Sequence, residues 1–202
     1  ADGLPGADAL PADQPSEKPS LRCVRRPGCS RVPELRMLGA REAIKRSRVS
    51  RDRDLFPEVY EADNAEVDRL VDAGLLQATV VTGDLKYTGQ AAMQRDIDDM
   101  KSALAKLDDD VEGFLPVVAP ASAAFGMLDQ HYNDEESLAF GVAEALKEEY
   151  RQIVDSGLIV QIDDAVIAQE MDAILARGGT MEDYRKWARI YVEATNHALE
   201  GL

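Results

Sequence analysis

LIVQID, residues 158–163, decides the fold: an apolar, β-branched run of the kind that forms a buried strand, closed by a carboxylate. It runs directly into DDAVIAQEMDAILARGG (163–179). Upstream, Asn133 stands where a cap is expected, with Glu136 three residues later in a capping-box pattern. Leu138, Val142, Leu146, Ile153 and Val154 then line the inner face of a helix that Gly157 ends. Downstream, Thr180 is placed to cap a last helix whose inner face carries Trp187, Ile190, Tyr191 and Ala194.

The same pattern repeats toward the N-terminus. GFLPVVAP (113–120) reads as a second buried strand, followed by the small-residue loop ASAAFG. Before it, Met93, Ile97, Met100, Leu104 and Leu107 are spaced by four, three, four and three, which predicts an amphipathic helix. LLQATVVTG (75–83) reads as a further buried strand, and Val67, Leu70 and Val71 mark a helix closed by Gly74. Three strands separated by helices at intervals of about 40 residues suit βαβ units and an α/β fold with parallel strands. No Gly-x-Gly-x-x-Gly follows any strand and no Gly-Lys-Ser/Thr loop occurs, so nucleotide-binding folds lose support. The expectation is a partial (β/α) TIM-type barrel over residues 54–202, its strands adjacent in chain order. A complete eight-unit barrel takes about 250 residues.

Charge divides the chain. Of its 202 residues, 23 are Lys or Arg and 38 are Asp or Glu, a formal net charge of -15. Residues 1–20 are Pro-rich with a net charge of -3, residues 21–53 carry +8, and residues 54–202 carry -20. The first 53 residues read as a poorly ordered lead-in and basic arm, in which VPELRMLGAREAIKRSRV has helix-forming character. The acidic balance argues against nucleic acid and against an anionic membrane as partners. With no signal peptide visible, no apolar run long enough to span a bilayer and only two cysteines, a cytoplasmic protein is expected.

Ligands of parallel α/β folds bind at the C-terminal ends of the strands. Asp163 ends the LIVQID strand, and Gln161 shares its face by period-two alternation. A carboxylate there suits a cation or a ligand amine, whereas Asp164 or Asp163 capping the next helix is the plainer alternative. The other strand ends offer Thr82 and Gly83, with Asp84, Lys86 and Tyr87 beyond them, and Ser122 in the small-residue loop. Ser122 has no local His/Asp pattern that would make it a nucleophile. His131 lies at a loop and His197 on the last helix, and Cys23 and Cys29 have a five-residue spacer unlike a zinc knuckle. No metal site is expected within the chain.

HYNDEESLAFGVAEALKEEYRQIVDSGLIVQIDDAVIA (131–168) resembles the cobalamin-independent methionine synthase family, especially its single-barrel relatives. VVTGDLKYTGQAAMQRDIDDMKSAL (80–104) is similar to that family's strand with a Thr-Gly-Pro-type loop and the helix after it. YRKWARIYVEATNHALEGL (184–202) is similar to the helix that precedes its zinc-binding strand, and GCSRVPELRML (28–38) to its opening segment.

The resemblance implies an S-methyltransferase that moves a methyl group from methyltetrahydrofolate to a zinc-bound thiol such as homocysteine. Some relatives act on other thiols. Carried over by position, Asp163 matches the carboxylate that holds the substrate's amino group, and Thr82 and Gly83 match the loop lining that pocket. Asp84 stands where many members have Pro. The family's His-x-Cys zinc motif follows the helix matched by 181–200, so zinc is implied while its ligands are expected outside this sequence. The expectation is a truncated product, a barrel completed by a complementary chain, or a homo-oligomer. The alternative function is a non-catalytic half-barrel remnant or interaction subunit.

Overall fold

The structure, a computed structural model, describes residues 22–23, 51–73, 79–107 and 110–202. The Pro-rich lead-in, the expected helix of the basic arm, Cys29 and the start of the first expected strand lie outside these. In chain order the elements are β1 (Arg22–Cys23), α1 (Arg51–Leu55), α2 (Pro57–Asp72), β2 (Val80–Val81), β3 (Leu85–Lys86) and α3 (Gln90–Leu104). They continue with β4 (Phe114–Val118), α4 (Pro120–Ala124), β5 (Leu128–Asp129), α5 (Glu135–Asp155), β6 (Ile159–Asp163), α6 (Val166–Ala176) and α7 (Met181–Leu199). The fold mixes helices with short strands, and no helix among the described residues is long and apolar enough to cross a membrane.

Among the described residues the strands form three two-stranded sheets. β4 and β6 pair in parallel from Phe114↔Ile159 to Val118↔Asp163, the pairing the helical spacer between them predicts. β2 does not join them among the described residues. It pairs in parallel with β5, a two-residue strand too short to leave a periodic signal. The expected series of three adjacent strands is thus replaced by two separate parallel pairs, and no closed barrel forms among the described residues. β1 and β3 pair antiparallel.

α5 is the spine of the core. Leu138, Val142, Leu146 and Ile153 are buried along it as the spacing predicts, with Ala139, Ala143 and Tyr150 beside them. Its small residues let α7 approach closely through Tyr191, Ala194 and Ala198, while α3 packs Met93 and Ile97 into the same cluster. Leu115, Val117, Val160 and Ile162 turn toward this core from β4 and β6. The opposite face of that pair is exposed, so these strands are buried on one side rather than on both.

One helix cap departs from expectation and one matches it. Asp134, not Asn133, caps α5: its extended backbone lets the carboxylate accept from the Ser137 amide at 2.8 Å. Asn133 instead takes a left-handed conformation, φ 64°, and its side-chain amide donates to the His131 carbonyl. Thr180 caps α7 as expected. Its hydroxyl accepts from the Asp183 amide at 3.2 Å, and the Asp183 carboxylate accepts from the Thr180 amide at 2.8 Å. Thr180→Ala is expected to lower the thermal midpoint by about 2–4 °C, the scale of one lost cap in a chain of this size. An unchanged midpoint in a calorimetric scan would remove the cap from the account.

Candidate functional site

The parallel register of β4 and β6 determines what lies together. On the exposed face Phe114 stands opposite Ile159, Pro116 opposite Gln161, and Val118 opposite Asp163. Asp163 and Gln161 thus share one face, as alternation predicts, and Asp163 closes β6 at its C-terminal end. Its backbone is held as well, because the Ala119 amide donates to the Asp163 carbonyl at 2.9 Å. Beneath Val118, the buried Tyr150 hydroxyl of α5 donates to the Val118 carbonyl at 2.6 Å. The strand ends are therefore anchored from the core while the Asp163 side chain stays exposed.

Asp164 does what the plainer alternative proposed for this pair of carboxylates. Its side chain accepts from the Ile167 amide at 3.2 Å, tying down the first turn of α6. Ser122, in α4 after β4, places its hydroxyl 3.5 Å from the same Asp164 oxygen. Ser122 is thereby part of the connection between the two strand ends.

A second set of strand ends belongs to β2 and β5. Thr82 and Gly83 follow β2, and Asp84 meets His131 across the gap, Oδ1 to Nε2 at 2.8 Å. Asp129, the last residue of β5, accepts from the amides of His131, Tyr132 and Asn133 with its two carboxylate oxygens. Tyr132 reaches back so that its hydroxyl accepts from the Leu85 amide at 3.0 Å. Asp84 and His131 are each visible as strand-end or loop polar residues, but their pairing across 47 positions has no local signal.

Tyr87 goes elsewhere. It is buried, and its hydroxyl has no hydrogen-bond partner among the described residues. Burial and the charges of Glu149, Asp96 and Glu148 push its phenol well above the ordinary range, so it stays protonated. Glu149, on α5, is the buried carboxylate among the described residues and one that sequence reasoning passed over. Desolvation first, and then the charge of Asp96, raise it to about 7.

Zinc does not fit the described residues. Among the described residues no three His, Cys, Asp or Glu side chains converge to hold a metal ion. The strand ends offer a carboxylate and an amide for binding a polar ligand group, and no step through a metal follows from them.

No protein-family model and no curated protein matches this chain. Among solved structures, it is similar to a B12-independent methionine synthase from Shewanella sp. W3-18-1 in complex with selenomethionine. That likeness has a TM-score of 0.45 and 20% identity, and it covers 62% of this chain and 32% of that one. The aligned part is about a third of the methionine synthase chain.

Proposed function

We propose that this chain carries the amino-acid-binding face of a methyl-transfer protein of the cobalamin-independent methionine synthase type. In this reading the acceptor is a thiol such as homocysteine and the donor methyltetrahydrofolate. The observation that carries it is Asp163: an exposed carboxylate at the C-terminal end of a parallel strand, with Gln161 on the same face. The order of the resembling segments 80–104, 131–168 and 184–202 supports it too. A carboxylate so placed accepts charge-assisted hydrogen bonds from a substrate ammonium, and Gln161 can donate or accept beside it. The resemblance assigns Thr82 and Gly83, at the end of the other parallel pair, to the loop lining the same pocket. Binding and orienting the amino acid is what these residues do; the zinc that the family uses to activate the thiol is not held by the described residues.

Calorimetric titration with L-homocysteine tests this. Asp163→Asn keeps the shape but removes the charge, and is expected to weaken binding by about 1.5–3 kcal/mol, roughly 10- to 150-fold. Equal affinity in the variant, or no heat with the unaltered chain at millimolar ligand, overturns the reading.

A further inference from the structure

A cavity of about 360 Å³ opens between α4, the start of α5, α6 and α7, and no residue of the strand-end site lines it. Its size is that of a site for a small molecule. Glu135, the first residue of α5, projects a carboxylate into it. One oxygen of that carboxylate accepts from the Trp187 indole at 3.1 Å and from the Tyr191 hydroxyl at 2.7 Å. Both donors come from one face of α7, so the acid is fixed in place while its second oxygen stays uncommitted among the described residues. The two rings stand 4.8 Å apart at 46°, and Phe125 adds a third aromatic wall.

The charges in this cavity do not cancel. Glu170 and Arg177, both in its lining, form an ion pair with one another. No cation pairs with Glu135 among the described residues, which leaves one net negative charge against aromatic and aliphatic walls. An anion is therefore disfavoured. A cation with an apolar body satisfies both features, because the carboxylate attracts it and the aromatic and aliphatic lining takes its body. The net charge of -20 over residues 54–202 raises the local concentration of such cations.

The geometry points to a binding site for a small organic ammonium ion in this cavity, with Glu135 as counter-ion and Trp187 and Phe125 as aromatic walls. This assignment is independent of the methyl-transfer reading. Trp187 is the single tryptophan of the chain, so its fluorescence reports the cavity directly.

The test uses choline and its neutral isostere 3,3-dimethylbutan-1-ol, titrated into the full chain by tryptophan fluorescence and calorimetry. Choline is expected to give saturable binding, and the isostere to bind at least about tenfold more weakly. Glu135→Gln, whose amide oxygen still accepts from Trp187 and Tyr191, is expected to lose choline affinity by about tenfold or more. Asp163→Asn is expected to leave choline binding unchanged, which separates this site from the strand ends. Equal affinity for the isostere, unchanged choline binding in Glu135→Gln, or no saturable response to choline would each overturn the assignment. The isostere comparison needs no variant, so a folding defect in Glu135→Gln does not spare the proposal.

Discussion

Glu149→Gln is expected to stabilise the protein by about 2 kcal/mol at pH 8, and by much less at pH 5. Glu149 is buried on α5 and faces Asp96 of α3, with Tyr87 from the loop before α3 and its neighbour Glu148 nearby. Burial and Asp96 raise its pKa from 4.5 to about 7. A folded-state pKa above the unfolded one means that the native chain binds the proton more tightly. Stability from this group is therefore complete below about pH 4.5, falls as pH rises toward 7, and stays lost above that. A shift of this size is worth about 3 kcal/mol at 1.36 kcal/mol per unit, and partial solvation of the carboxylate reduces it to about 2. Glutamine has nearly the same shape and never ionises, so it escapes the loss. Urea denaturation of both proteins at pH 5 and pH 8 provides the check, since other carboxylates cancel in the difference. A gap between them that does not widen with pH would show that Glu149 titrates normally.

That residue also shows how far the sequence could be read. Leu138, Val142, Leu146 and Ile153 define the core stripe of α5, and the step from 146 to 153 skips a turn that must also face inward. Glu149 and Tyr150 occupy it, so the signal was a charged residue at a core position. β4 and β6 were legible because apolar β-branched runs of five or six residues leave few alternatives. Their open face was only half legible: Gln161 and Asp163 fall on one side of LIVQID, but the matching positions of β4, Phe114, Pro116 and Val118, are apolar. β5 was invisible for a different reason: Leu128–Asp129 becomes a strand only through its pairing with β2. The strand-end position of Asp163 followed from where the apolar run closes, and the face it shares with Gln161 from alternation. The Glu135–Trp187–Tyr191 cluster did not, since its members lie 52 and 56 positions apart and the four-residue spacing of the two rings says only that they share a helix face.

The other large effect belongs to Tyr150, which joins the core to the strand ends. Its side chain is fully buried, and its hydroxyl donates to the Val118 carbonyl at 2.6 Å. Burial, reinforced by the charges of Glu149 and Asp164, pushes that phenol far above the ordinary range, so it remains a donor at every working pH. Val118 is the register partner of Asp163, and the Ala119 amide beside it closes the ladder on the Asp163 carbonyl. Tyr150→Phe keeps the ring but strands the carbonyl, at a cost of about 1–3 kcal/mol. Tyr150→Ala also empties the space of the ring and is expected to cost about 3–5 kcal/mol, as for other buried aromatic truncations. The two variants separate hydrogen bond from packing, and urea denaturation measures both. Hydrogen exchange then locates the effect: in Tyr150→Phe the Ala119 amide should exchange faster by more than the global loss of stability explains, because its partner strand end has lost its anchor. If Tyr150→Phe matches the unaltered chain in stability and Ala119 exchange is unchanged, the phenol is a packing group only and Asp163 is held in place by the strand ladder alone.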